Sequence, residues 1–409
     1  MKVLGIIAEY NPFHNGHFYH LTESKKISGA DVTVAIMSGN FVQRGEAALF
    51  SKWERAKIAV DCGVDLVLEL PFVYACNSAE YFAKGAVQIL DGISCVDVIS
   101  FGSEAGNLDK LKQVAQLISL ETEEFKANIK ESLDKGNSFP KARAEAISKI
   151  SGEDVAEIIG HPNNILAVEY IRELINLNSD IEPITVPRKG QGDNSMILAN
   201  DFASATGIRK NLEEYNDINK ILGYVPDICF QNMKNFGINI SEKTEKLFLL
   251  LCAGILSKSE NDLESMVSAG EGLGNKMKKV VRNSKNLEEL ISGVKSKRYT
   301  RTRITRLLTH TLLEFKIIEL KAILDKKRNY TRVLAFNDKG AALLKRIKES
   351  EPMIPVITNI NKQINPDDEI ELLLKYDILA TDIYNLISGQ KINENSDFVK
   401  VPYFCSVEK

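Results

Sequence analysis

Three of the five histidines in this 409-residue chain, His14, His17 and His20, fall within seven residues of one another. They follow an apolar run, Val3–Ala8, in the stretch Glu9-Tyr10-Asn11-Pro12-Phe13-His14-Asn15-Gly16-His17-Phe18-Tyr19-His20-Leu21. Pro12 and the Asn15-Gly16 pair mark a turn, and helical spacing begins at Gly16. Two histidines three residues apart at such a strand-to-helix turn can point the same way, toward the positive end of the helix. Unpaired backbone N–H groups there already attract phosphate. Gly16 leaves room for a nucleotide against the backbone. Such a site can hold a triphosphate and donate hydrogen bonds to oxygens that gain charge in a transition state. Two other readings compete. His14 and His17 can be incidental polar residues at a helix start, although their clustering argues against it. They can also chelate a metal, but a stable zinc site needs another ligand or two and no matching cluster lies nearby, so no protein-held metal is expected.

The elements that must position these residues form a repeating pattern. Apolar, β-branched runs of strand length occur at 3–8, 32–37, 64–70 and 96–101, with helical spacing at 18–27, 53–61 and 79–90. Strands recurring about every thirty residues match a β-α-β unit. Continuously apolar strands indicate a parallel sheet covered on both faces. The expected class is α/β with a Rossmann-like architecture, whose ligands bind at the carboxyl ends of the strands. Residues 121–150 are charged and strandless, a helical insertion; 164–177 is a further helix and 184–186 a fifth strand. After about residue 215 the texture changes to helices at 243–257, 260–267, 287–294 and 302–324, then a small β-α-β-like tail at 332–336, 341–348 and 355–358. This divides the chain into a nucleotide-binding domain, 1–215, and a mostly helical domain with an α/β tail, 216–409.

Composition excludes several classes. With 44% hydrophobic and 26% charged residues the chain is neither disordered nor fibrous. No run approaches the roughly 18–20 apolar residues of a membrane span, and the N-terminal run is too short for a secretory signal. Six scattered cysteines without a Cys-x-x-Cys pair fit reduced thiols in a cytoplasmic protein. No Ser/His/Asp or Cys/His arrangement is apparent, and no Gly-x-Gly-x-x-Gly follows the first strand, which argues against a flavin or nicotinamide protein.

Charge is distributed unevenly. Residues 276–306 carry eleven Lys and Arg against two acids, Glu288 and Glu289, a local +9 that leaves −12 for the rest of a chain of net charge −3. Within it, Lys295, Lys297, Arg298, Arg301, Arg303 and Arg306 surround Tyr299 near one helix start. The basic groups would neutralise phosphates and the tyrosine would stack on an unpaired base, so an RNA partner is expected here. The plainer reading is a solvated helix face.

The first motif resembles the His-x-Gly-His element shared by nucleotidyltransferases and class I aminoacyl-tRNA synthetases. The longer stretch from Glu9 to His17 resembles the tRNA(Met) cytidine acetate ligase family. Further blocks agree in order: Met37-Ser38-Gly39-Asn40-Phe41-Val42-Gln43-Arg44-Gly45-Glu46, Glu69-Leu70-Pro71, Phe101-Gly102-Ser103-Glu104, Pro162-Asn163-Asn164-Ile165-Leu166 and Ala203-Ser204-Ala205-Thr206-Gly207-Ile208-Arg209-Lys210. The likeness is strong over about 1–215 and weaker near residue 300. It implies activation of acetate by ATP, accompanied by Mg2+, to acetyl-adenylate and pyrophosphate. Acetyl transfer to N4 of the wobble cytidine of elongator tRNA(Met) would follow. His14 and His17 would then be catalytic, contacting the phosphates. Ile7, Ala8, Glu9, Tyr10, Asn11, Pro12, Phe13, Asn15, Gly16 and His20 would shape the nucleotide pocket with them. Gly102 would allow close approach of the adenosine, and Asn163 and Arg188 match nucleotide-contacting positions. Ser204 or Thr206 would cap a helix from which Arg209 reaches the outer phosphates. Arg44 would hold acetate or tRNA, or lie on a plain surface turn. The alternatives are a small-molecule nucleotidyltransferase, which needs no polyanion-binding region, and a non-catalytic RNA-binding factor.

Overall fold

A computed structural model describes residues 1–188, 203–237, 239–270, 272–326, 329–360 and 370–406. Its centre is one sheet of β1 (Val3–Ala8), β2 (Val32–Ser38), β3 (Leu66–Leu70), β4 (Val98–Ser103), β5 (Glu182–Pro187), β6 (Thr331–Asn337) and β7 (Val356–Ile357) in the order β5-β4-β1-β2-β3-β6-β7, with β8 (Tyr403–Cys405) also pairing β6. The first five strands are mutually parallel, with Val3 opposite Val32 and Leu4 opposite Val98. The chain runs outward through β2 and β3, then crosses back to place β4 on the other side of β1. The carboxyl ends of β1 and β4 therefore border a topological switch point, where sheets of this kind bind ligands. Strands β1 to β4 are apolar on both faces because helices cover both, and two apolar clusters lie one on each side.

Six residues separate the end of β1 from the helix Asn15–Ser28, and Lys52–Asp61, Ala79–Gly92 and Pro162–Leu177 complete the expected layers. The strandless segment is helical, with Glu123–Asp134 and Phe139–Ser151 packed as a pair. Two expectations are corrected. The tail does not stand apart with the helical half: β6 joins the main sheet antiparallel to β3, pairing Leu66 with Phe336 and Val67 with Ala335. It can do so because β3 would otherwise leave an apolar edge unpaired. The helix expected over 302–324 is two helices, Arg301–Leu312 and Ile317–Lys326, broken where Glu314 turns left-handed (φ 55°). Phe315 there is fully buried and its carbonyl accepts the Val267 N–H at 2.9 Å.

The helical half is locked onto the sheet half through Arg301–Leu312. Thr309 Oγ1 donates to the Gly45 carbonyl at 2.7 Å, and the buried His310 ring lies 2.7 Å from the Cys76 carbonyl and 2.8 Å from that of Val267. Gly45 has φ +81°, and a Cβ there would come within 2.4 Å of the Arg306 backbone nitrogen. Only glycine allows the 39–46 loop to lie flat on that helix.

Candidate active site

The motif after β1 builds the site through its own backbone. Tyr10 turns the chain off the strand in a left-handed conformation (φ 47°). His14 is the N-cap of the helix Asn15–Ser28: its Nδ1 accepts the Gly16 N–H at 3.0 Å, while the His14 N–H donates to His17 Nδ1 at 3.3 Å. A reciprocal cap of this kind satisfies two N–H groups that a helix start leaves orphaned. It also fixes the chemistry. With both Nδ1 atoms accepting, each neutral ring carries its proton on Nε2, as a donor on the edge away from the backbone. The rings stack with centroids 3.8 Å apart. A Cβ on residue 16 would meet His14 Cε1 at 2.8 Å, so the glycine is needed for the histidine cap itself. Burial, then the neighbouring His14, Arg188 and His20, hold His17 well below the usual imidazole range; burial and Arg188 push His20 down to about 4.

A cavity of about 610 Å3 opens over these rings and is walled by three parts of the molecule. The sheet ends contribute Ile7, Ala8, Glu9, Tyr10 and Gly102, and the motif contributes His14, Gly16, His17 and His20. Asn163, Arg188, Ser204 and Arg209 close that side. Ser204 caps the helix Ala205–Tyr215 by accepting the Gly207 N–H at 3.0 Å, and Arg209 donates to the Asn11 carbonyl at 2.8 Å and pairs with Glu46 at 3.1 Å. Asn163 donates through Nδ2 to Glu104 at 2.7 Å.

Four of the expected pocket residues do not line the cavity. Asn11 is buried, its Oδ1 taken by the Leu49 N–H at 2.8 Å; Pro12 and Phe13 face the core; Asn15 Nδ2 donates to the Gly223 carbonyl at 2.8 Å. Their contribution is the shape of the turn.

The six basic residues divide. Lys295, Lys297 and Arg298 are exposed. Arg301 is bidentate to Glu288, both contacts 2.6 Å. Arg303 turns inward, donating to the Ser268 and Ala269 carbonyls at 3.0 and 2.9 Å. Arg306 lies in the cavity wall, donates to the Gln43 carbonyl at 3.2 Å, and is pushed down to about 10 by burial. Tyr299 is not available to stack on a base: it is 8% exposed, with the Arg303 guanidinium 4.7 Å from its ring centre.

Other wall residues were not anticipated. Arg143, in the insertion helix Phe139–Ser151, pairs with the buried Glu169 at 2.6 Å, next to Phe139, Leu166 and Tyr170. Nothing local in the sequence distinguishes Arg143 from its neighbouring surface lysines. Arg44, expected to hold acetate or tRNA, also reaches the wall together with Gln43, whose N–H donates to Glu9 Oε1 at 2.8 Å. Among the described residues no group of three or more His, Cys, Asp or Glu could hold a metal ion, and no helix is long and apolar enough to cross a membrane.

A parallel sheet with a capped His-x-Gly-His turn at its switch point defines a nucleotidyltransferase, and the family model described as HIGH Nucleotidyl Transferase matches residues 1–397. The similarity is closer to one branch. A tRNA(Met) cytidine acetate ligase of Caldanaerobacter subterraneus is 42% identical over 397 residues, covering 94% of this chain and 95% of the relative. The protein of that name from Clostridium novyi is 39% identical, covering 99% and 100%. The crystal structure of Thermotoga maritima TmcAL superposes with a TM-score of 0.92 at 32% identity over all of both chains, and its form bound with alpha-thio ATP with 0.90. The chain belongs to the tRNA(Met) cytidine acetate ligase family.

Proposed function

We propose that the protein activates acetate with ATP and transfers the acetyl group to N4 of the wobble cytidine of elongator tRNA(Met), in the cytoplasm. The observation that carries this reading is the pair of Nδ1-anchored histidines aimed at the switch-point cavity, within a chain alike over its whole length to ligases of that name. Acetate attacks the α-phosphate, and pyrophosphate leaves. This step needs charge stabilisation and positioning rather than a protein nucleophile. His14 and His17 donate from Nε2 to the phosphate oxygens as they gain charge. Because His17 is neutral when empty, it adds donors without adding a buried cation. Arg188 and Arg209 face the outer phosphates. Mg2+ arrives on the nucleotide, held by phosphate oxygens and water. The exposed Lys295, Lys297 and Arg298 bind the RNA backbone, while Arg306 belongs to the reaction cavity. The test is incubation of the purified protein with ATP, radiolabelled acetate and tRNA(Met), followed by nucleoside analysis. Label appears in N4-acetylcytidine only when all three substrates are present. Pyrophosphate release with no label in RNA would contradict the transfer step.

A further inference from the structure

Seven side chains lining the cavity are histidines or carboxylates: His14, His17 and His20, and Glu9, Glu46, Glu80 and Glu169. Acetylation of an exocyclic amine requires one group among them, or water, to remove a proton. The nitrogen of an aminopyrimidine is delocalised into its ring and a weak nucleophile, so the proton must leave as the N–C bond forms.

Most of the candidates are already engaged. His14 and His17 present Nδ1 to backbone N–H groups and so offer Nε2 as a donor, the wrong polarity for a base. His20 Nε2 lies 3.3 Å from Ser100 Oγ, and its low proton affinity makes it a poor base. Glu46 pairs with Arg209 at 3.1 Å, Glu80 with Arg172 at 3.2 Å, and Glu169 with both Arg143 at 2.6 Å and Arg172 at 3.3 Å. Glu9 alone of the four has no ion-pairing cation among the described residues. Its Oε1 accepts the Gln43 N–H at 2.8 Å, which orients the carboxylate and leaves Oε2 for a ligand. It stands directly after β1, at the switch point, in a cavity wall that also carries Tyr170 and Arg306.

We propose that Glu9 is the general base of the transfer step, accepting the proton of the exocyclic amine as the amine attacks the activated acetyl group. The proposal rests on the reading of the protein as an RNA acetyl ligase. The amine nitrogen bonds to the acetyl carbon, the bond from that carbon to the phosphate oxygen breaks, AMP departs with its electron pair, and the N–H proton passes to Glu9 and then to water. Burial raises the proton affinity of Glu9 above that of an ordinary carboxylate, which strengthens it as a base. The groups facing it are the Gln43 N–H, Arg209 and Arg44, which oppose that rise, and Glu46, which adds to it; Tyr170 and Cys76 also feel its charge, and its own carbonyl accepts from Arg55.

The test separates the two half-reactions in Glu9→Gln, which keeps the shape and the Gln43 contact but cannot take a proton. Transfer of acetyl to RNA falls by about a hundredfold or more, whereas acetate-dependent exchange of pyrophosphate into ATP falls by less than about tenfold. Glu9→Asp recovers part of the transfer rate. In the wild type, single-turnover transfer rises with pH through the titration of Glu9, and this limb is absent in Glu9→Gln. If exchange falls as far as transfer, Glu9 serves the nucleotide and the proposal is wrong; a transfer rate within about threefold of wild type also overturns it. Should Glu9→Gln fail to fold, the acid limb of Glu9→Asp decides: a displaced midpoint supports the proposal and an unmoved one overturns it. A wild-type protein that exchanges pyrophosphate but never labels RNA would instead sink the ligase reading on which the proposal depends.

Discussion

The cleft and the ion cluster beside β3 both withdraw charged side chains from water, yet they resolve the cost in opposite ways. In the cluster Lys52 lies 2.8 Å from Glu69 and 2.8 Å from Asp397, and Arg332 reaches Asp397 at 2.9 Å and Glu69 through Nε at 2.9 Å, all four side chains no more than 2% exposed. Each charge faces an opposite charge, and the group ties the helix Lys52–Asp61, β3, β6 and a residue twelve positions from the C-terminus into one unit. In the cleft His17 and Glu9 are each anchored by a backbone N–H, at His17 Nδ1 and at Glu9 Oε1, and line the cavity. Charges paired with one another hold a fold; cavity-lining groups, kept in place by their backbone anchors, are ready for a ligand.

Substitutions sharpen that contrast by what each one changes. The largest effect on stability is expected for Lys52→Met, which strands two carboxylates on Arg332. Breaking a buried pair costs about 3–5 kcal/mol in denaturant unfolding, with activity per folded molecule retained. Loss of activity without loss of stability would make the cluster part of the site. The reverse holds for His17→Ala. Removing one charge-stabilising donor slows pyrophosphate exchange by roughly 100- to 1000-fold while stability changes by about 1 kcal/mol, the worth of a helix cap. Equal losses of both would erase the distinction.

A third comparison uses pH. His17 is held well below its ordinary value and His20 down to about 4, so both stay neutral in the folded chain while their unfolded counterparts take protons below about pH 6.5. The stability they contribute is present above that pH and lost as pH falls, by about 1.4 kcal/mol per pH unit for each. Chemical denaturation between pH 7 and 5 should show this slope, made shallower by His20→Gln. An unchanged slope would mean that His20 is not held below the usual imidazole range. The smallest effect is expected for Lys297→Ala with Arg298→Ala. The log–log salt dependence of RNA binding should lose about two units of slope, one per phosphate contact. An unchanged slope would move the RNA elsewhere.

How much of this was legible depends on whether the signal is local. The strands and the capped turn could be read because apolar runs, Pro12, Gly16 and the histidine spacing act within a few residues of one another. The destination of β6 could not: its partner β3 lies some 260 residues earlier, and no local pattern names the edge a strand will join. The basic run was legible as charge but not as direction. Arg303 and Arg306 sit on the helix Arg301–Leu312 and turn inward, to the Ser268 and Ala269 carbonyls and to that of Gln43, whereas Arg298 precedes the helix and stays exposed, and Tyr299 is buried against Gly270, where a Cβ would lie 2.6 Å from its hydroxyl. Arg143 reached the cavity because a helical insertion folded back over it. Asn11, Pro12, Phe13 and Asn15 show the converse: a motif can be read correctly as a turn while half of its side chains face away from the space it shapes.

The central claim is that the capped histidine turn adenylates acetate. Its most direct test is exchange of radiolabelled pyrophosphate into ATP by the purified protein, without RNA, with and without acetate. The expected result is exchange that requires acetate and is slowed roughly 100- to 1000-fold by His17→Ala. Exchange that proceeds equally without acetate, or ADP rather than AMP as the product of acetate-dependent turnover, would contradict it.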